Sequence, residues 1–70
     1  MTAKEVAAAM SSGSTLCMEF DGDGNKVFWL EPRRILIRAD VGERVVMLPG
    51  IIPGGDSLFD NTTSQTWKAA

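Results

Sequence analysis

Residues 15–30 read TLCMEFDGDGNKVFWL, and this stretch decides the fold. Its first six residues alternate, with Leu16, Met18 and Phe20 on one side and Thr15, Cys17 and Glu19 on the other. That period of two predicts a strand buried on one face. Asp21-Gly22-Asp23-Gly24-Asn25 follows, a run of residue types that tolerate the positive φ angles of a tight connection. Lys26 to Leu30, enriched in Val27, Phe28 and Trp29, predicts the returning strand of an antiparallel hairpin. Pro32 has no N–H to donate and ends the regular pairing.

Upstream of the hairpin, residues 2–10 suit a first helix. Thr2 stands at the capping position, Glu5 lies three residues on as in a capping box, and alanines follow. Val6 and Met10, four apart, form its only apolar stripe, so this helix is expected to be short and the least stable element. Ser11-Ser12-Gly13 stops it. Downstream, Arg34 to Arg38 suits a short third strand. Ala39 to Leu48 admits two readings. As a hairpin, Asp40-Val41-Gly42-Glu43 is the turn and Val45-Val46 the return. As a helix, Asp40 is the N-cap, Glu43 closes the box, and Val41, Val45 and Leu48 share a face. The helix is preferred, with Pro49-Gly50 ending it and Gly42 a cost of about 0.5–1 kcal/mol to either reading. Ile51 to Asp60 contains Pro53-Gly54-Gly55 and reads as loop, pinned by Leu58 and Phe59. Thr66 and Trp67 suit a last strand added to the hairpin.

These elements sum to an α+β fold, a small antiparallel sheet of three to four strands with two short helices on one face, in the order α-β-β-(β)-α-β. At 70 residues, the chain is long enough for a single domain, residues 1–70, and too short to divide into two cores. The 44% hydrophobic and 23% charged fractions are those of a globular chain rather than a disordered one. One cysteine, Cys17, excludes an internal disulfide framework. With no secretory signal and no apolar span, a cytoplasmic protein without membrane contact is expected. On that expectation the glycosylation pattern Asn61-Thr62-Thr63 is coincidental.

The chemistry that the residues exclude is broad. There is no histidine and no tyrosine, so the usual base near neutral pH is missing and hydrolase triads have no candidate members. Cys17 sits between Leu16 and Met18 as an ordinary sheet residue rather than an activated thiol. Asp21, Asp23 and Asn25 imitate the opening of a calcium loop, but Lys26 replaces its glycine and Pro32 its bidentate glutamate. Gly50, Gly54 and Gly55 are not followed by the lysine that a phosphate loop requires. No catalytic residue, cofactor or metal site is therefore expected.

Two features remain. Trp29 and Trp67 are a large aromatic area for so small a domain, and whichever of them stands on an outer sheet face becomes a partner-binding anchor. Arg33, Arg34, Arg38 and Arg44 form a net basic segment, with Asp40 and Glu43, inside a chain whose formal net charge is −2. Their simplest reading is a solvated rim; the sharper one is contact with phosphate or an acidic partner. The whole-chain charge disfavours nucleic acid, since counterion release rewards many cations together.

The Phe28-Trp29-Leu30 strand, the Gly55-Asp56-Ser57-Leu58-Phe59 segment and the terminal Ser64-Gln65-Thr66-Trp67 together resemble small bacterial proteins of similar length with no established activity. The resemblance spans the chain from Thr15 onward. It implies a bacterial origin, a compact layout and a helix after the basic segment, and it carries no functional residue across. The expected function is a non-enzymatic interaction module that binds a protein partner or a second copy of itself. The alternative is an accessory nucleic-acid-binding module using the Arg33–Arg44 segment. The candidate contact residues are Trp29, Arg33, Arg34, Arg38 and Arg44.

Overall fold

The computed structural model describes residues 1–54 and 65–70. It runs α1 (Ala3–Ser11), β1 (Thr15–Phe20), β2 (Lys26–Glu31), β3 (Ile35–Ile37), α2 (Ala39–Val45), β4 (Ile51–Pro53) and β5 (Gln65–Ala69). The strands form one antiparallel sheet in the order β3-β2-β1-β5-β4. The α+β class and the antiparallel hairpin at its centre are as expected. The strand count is not: the sheet has five strands rather than three to four.

The extra strand is β4, in a stretch that reads as loop. Ile51, Ile52 and Pro53 lie opposite Ala69, Lys68 and Trp67 of β5. A three-residue strand ending in proline has no period of its own, and it is extended here because β5 offers an unpaired edge. Proline is tolerated because β4 is itself an edge strand. The expected pinning by Leu58 and Phe59, and Asn61-Thr62-Thr63, fall outside the described residues.

Register decides which side chains meet the helices. Leu16 lies opposite Leu30 and Trp67, Met18 opposite Phe28, and Phe28 opposite Ile37. Residues directly opposite one another project from the same face. This face joins Val6 and Met10 of α1 and Val45 of α2 in one core, with Trp67, Ala69 and Ile51 packed at its margin. The ring of Phe28 lies 6.1 Å from that of Trp67 at 30°.

The alternation of β1 is not clean. Phe20, expected inside, is exposed at the end of the strand. Cys17, expected on the outer face, is on that face yet only 8% exposed.

Helix α1 is capped as its sequence predicts. The Thr2 hydroxyl accepts from the Glu5 amide at 3.2 Å, and the Glu5 carboxylate accepts from the Thr2 amide at 2.8 Å. Residues 39–45 are helical, but the cap differs from expectation. The N-cap is Arg38, with no side-chain hydrogen bond, and Asp40 lies inside the first turn. Glu43 is turned away to an ion pair with Lys26 of β2 at 3.3 Å. Gly42 also has a role that its sequence does not announce. It is buried against the Phe28 ring, and a Cβ there would stand 2.6 Å from both Cδ atoms. A glycine lets the helix backbone rest directly on the aromatic ring.

Candidate functional site

Among the described residues the second face of the sheet has no helix on it, and the same register that builds the core also assigns its residues. Cys17 lies opposite Trp29 on one side and Thr66 on the other, and Trp29 lies opposite Leu36. These four make a row across four strands, Leu36-Trp29-Cys17-Thr66. Ile52 and Lys68, also opposite one another, extend the face at β4 and β5. Leu36 is 73% exposed and Ile52 42%, large values for branched aliphatic side chains on a sheet.

Trp29 is held from two directions. Its indole N–H donates to Oε2 of Glu31, two residues along the same strand, at 2.6 Å. Since residues two apart on a strand share a face, the carboxylate reaches the indole without any turn of the backbone. The Arg34 guanidinium carbon stands 5.4 Å from the ring centroid, within cation–π range. Arg34 takes φ of 57°, the left-handed region that ordinary residues seldom occupy. The preceding Glu31–Pro32 peptide bond is cis. This tight connection between β2 and β3 brings an arginine back over the strand it has just left.

Cys17 lies beside this arrangement, opposite Trp29 on the neighbouring strand. Burial pushes its thiol pKa up, the Glu31 carboxylate pushes it further, and Arg34 pulls it partly back. The site therefore keeps a neutral thiol, the opposite of what a nucleophilic cysteine needs. The thiol faces the Thr15 carbonyl oxygen at 4.0 Å.

The sequence-derived candidates are not gathered in one place. Trp29 and Arg34 meet on the open face, whereas Trp67 is on the helix side of the sheet. Arg33 is exposed in the β2–β3 connection and borders a cleft of about 280 Å³ with Ile35, Ala9 and Met1. Arg38, at the start of α2, is paired with Asp40 at 3.3 Å. Arg44, in the last turn of α2, shares a second cleft with Arg38, Glu5 and Asp40. Sequence adjacency suggests one basic stripe; the turn from β3 into α2 divides it between the sheet and the helices. Leu36 is absent from the sequence-derived candidates. Its signal is parity, since a three-residue strand that buries Ile37 must turn Leu36 the other way.

The acidic hairpin loop is occupied by its own backbone. One carboxylate oxygen of Asp21, Oδ1, accepts from the amides of Asp23 at 2.8 Å and Asn25 at 2.9 Å. Gly24 takes φ of 84° to close the turn. Among the described residues no cluster of acidic, cysteine or histidine side chains has a metal-binding arrangement. Among the same residues, no helix is long and apolar enough to cross a membrane. Comparison with known protein families, with curated proteins and with solved structures finds no match to this chain.

Proposed function

We propose that this protein is a non-enzymatic interaction module that binds a protein partner through the open face of its sheet. The observation that carries the reading is the row Leu36-Trp29-Cys17. A largely exposed leucine stands beside a tryptophan whose geometry is fixed by Glu31 and Arg34. Pre-ordered aromatic anchors with apolar neighbours are the usual centre of protein interfaces, because little side-chain entropy remains to be lost on binding. The neutral thiol, 8% exposed, backs the same row and adds no reactivity.

The dispersal of the arginines weighs against the nucleic-acid alternative. Arg38 is neutralised by Asp40, Arg44 is on a helix, and the net charge is −2. A backbone-tracking surface needs several cations in one groove.

The test is affinity capture from the source organism with the native chain and with Leu36→Asp, each treated with nuclease. Leu36 is exposed enough that the substitution leaves the fold intact. A protein retained by the native chain and lost with the variant is the expected result. Retention that nuclease abolishes, or that ignores the variant, would overturn the reading.

A further inference from the structure

The two edges of the sheet are protected differently. β4, at one edge, ends in Pro53, which cannot donate to an added strand. β3, at the other edge, reads Ile35-Leu36-Ile37, with neither proline nor charge within it. Among the described residues it pairs only with β2, so its outer row of amides and carbonyls faces no other strand. Ile35 is 38% exposed and Leu36 73%. Its shortness limits chance pairing, but its proline-free, apolar row of amides and carbonyls is open to an added strand from another chain.

The charges stand at the ends of this strand. Arg33 and Arg34 precede it and Arg38 follows it. Among the described residues the ion pairs are Lys26 with Glu43 and Arg38 with Asp40, so Arg33 and Arg34 have no carboxylate counterpart. Resting on the protein-binding reading above, we infer that the outer edge of β3 is the docking edge and that its occupant is an extended acidic peptide segment, added as a sixth strand.

The arrangement of the two faces suits an alternating occupant. Side chains of an added strand project to opposite faces in turn. One set would lie beside Leu36 and extend the Leu36-Trp29-Cys17 row. The other would lie beside Ile35, where the cleft of about 280 Å³ opens against α1. Carboxylates toward one end of the segment would meet Arg33 and Arg34, which precede the strand.

A second copy fits less well. Two β3 edges paired antiparallel about Leu36 would set Arg34 of each copy against Arg38 of the other, and directly opposed like charges destabilise a sheet. The occupant that complements Arg33 and Arg34 carries the opposite sign.

The experiment uses the full chain and a capped peptide of about eight residues alternating glutamate with valine and isoleucine, a length that covers a typical strand. Its controls are the same peptide with lysine for glutamate and a version N-methylated at alternate residues. Fluorescence anisotropy reads affinity, and hydrogen exchange followed by NMR reads which amides become protected. The expected result is saturable binding that slows exchange in β3. Binding should weaken about tenfold or more, the equivalent of 1.4 kcal/mol, for the lysine peptide and for Arg33→Ala/Arg34→Ala. It should also weaken toward about 1 M salt, where the Debye length shrinks to about 3 Å, and vanish on N-methylation.

Equal binding of the lysine peptide would refute the acidic occupant while leaving the protein-binding reading in place. Protection elsewhere than β3, or no binding at about 1 mM peptide, the weak end of measurable affinity, would refute the edge site. Dimerisation through β3 in sedimentation, or binding only of a single-stranded oligonucleotide, would replace it with the competing occupants.

Discussion

Gly42→Ala is the substitution whose sign the structure reverses. In an exposed helix interior, alanine in place of glycine stabilises by about 1 kcal/mol through propensity. Here the new Cβ would lie 2.6 Å from Cδ1 and Cδ2 of Phe28, where carbon atoms at ease stand about 3.5–4.0 Å apart. The ring and the helix must part by roughly 1 Å, on the contact distances just given. Phe28 cannot simply retreat, being 2% exposed and braced by Trp67 at 6.1 Å. Overpacking of a tight core costs about 1–3 kcal/mol. Once the propensity gain is subtracted, a loss of up to about 2 kcal/mol remains.

For a domain of this size a loss of 1 kcal/mol lowers Tm by about 4–8 °C. Thermal and urea unfolding followed by circular dichroism would show it. The double variant Gly42→Ala/Phe28→Leu isolates the contact. With the ring gone, the alanine should become neutral or stabilising relative to Phe28→Leu alone. A rise in Tm for Gly42→Ala by itself would mean that α2 is not seated on Phe28, and the packing described above would be wrong.

Other outcomes follow from single contacts. Thr2→Ala removes both the acceptor and the reciprocal geometry of the capping box, and should lower stability by about 1 kcal/mol in denaturant titrations. Calcium at millimolar concentration should leave Tm unchanged, since linkage requires a site in the folded state and Asp21 Oδ1 is already engaged by two amides; a dose-dependent rise would refute the turn reading. The folded Cys17 thiol pKa lies above its ordinary value of 9.0. The unfolded chain therefore loses its proton first as pH rises, so stability should fall from about pH 9 upward, and Cys17→Ala should flatten that slope. Arg34→Ala should cost about 0.5–1 kcal/mol and shift the Trp29 fluorescence, whereas Arg34→Gly should come closer to neutral because it relieves the positive φ.

Much of the fold is legible in local patterns. The Thr15–Phe20 alternation and the Asp-Gly-rich turn specify the central hairpin because strand period and turn chemistry are short-range properties. The Thr2–Glu5 box specifies α1 for the same reason. The spacing of Val41 and Val45 recovers α2, although not its cap. Arg38 takes that position because β3 runs to Ile37 and leaves only one residue for the change of direction. The candidate site is legible in part: Trp29 and Arg34 are visible as residue types, Leu36 only through the parity of a very short strand.

The sequence by itself determined the hairpin, α1, the last strand and the lack of histidine and tyrosine, and it favoured α2 without deciding it, since each depends on residue identity or on neighbours within about one turn or strand. The tertiary structure alone decided the rest. Trp67 joins the core and Trp29 the open face because register sets them opposite Leu16 and Cys17 respectively, and register is fixed by pairing across the sheet. β4 exists because β5 offers it an edge. Gly42 is a contact because α2 lies on a ring from a strand distant in the chain. The basic segment is divided because the chain turns from sheet to helix within it. Each of these is a relation between segments separated along the chain, so no local pattern carries it.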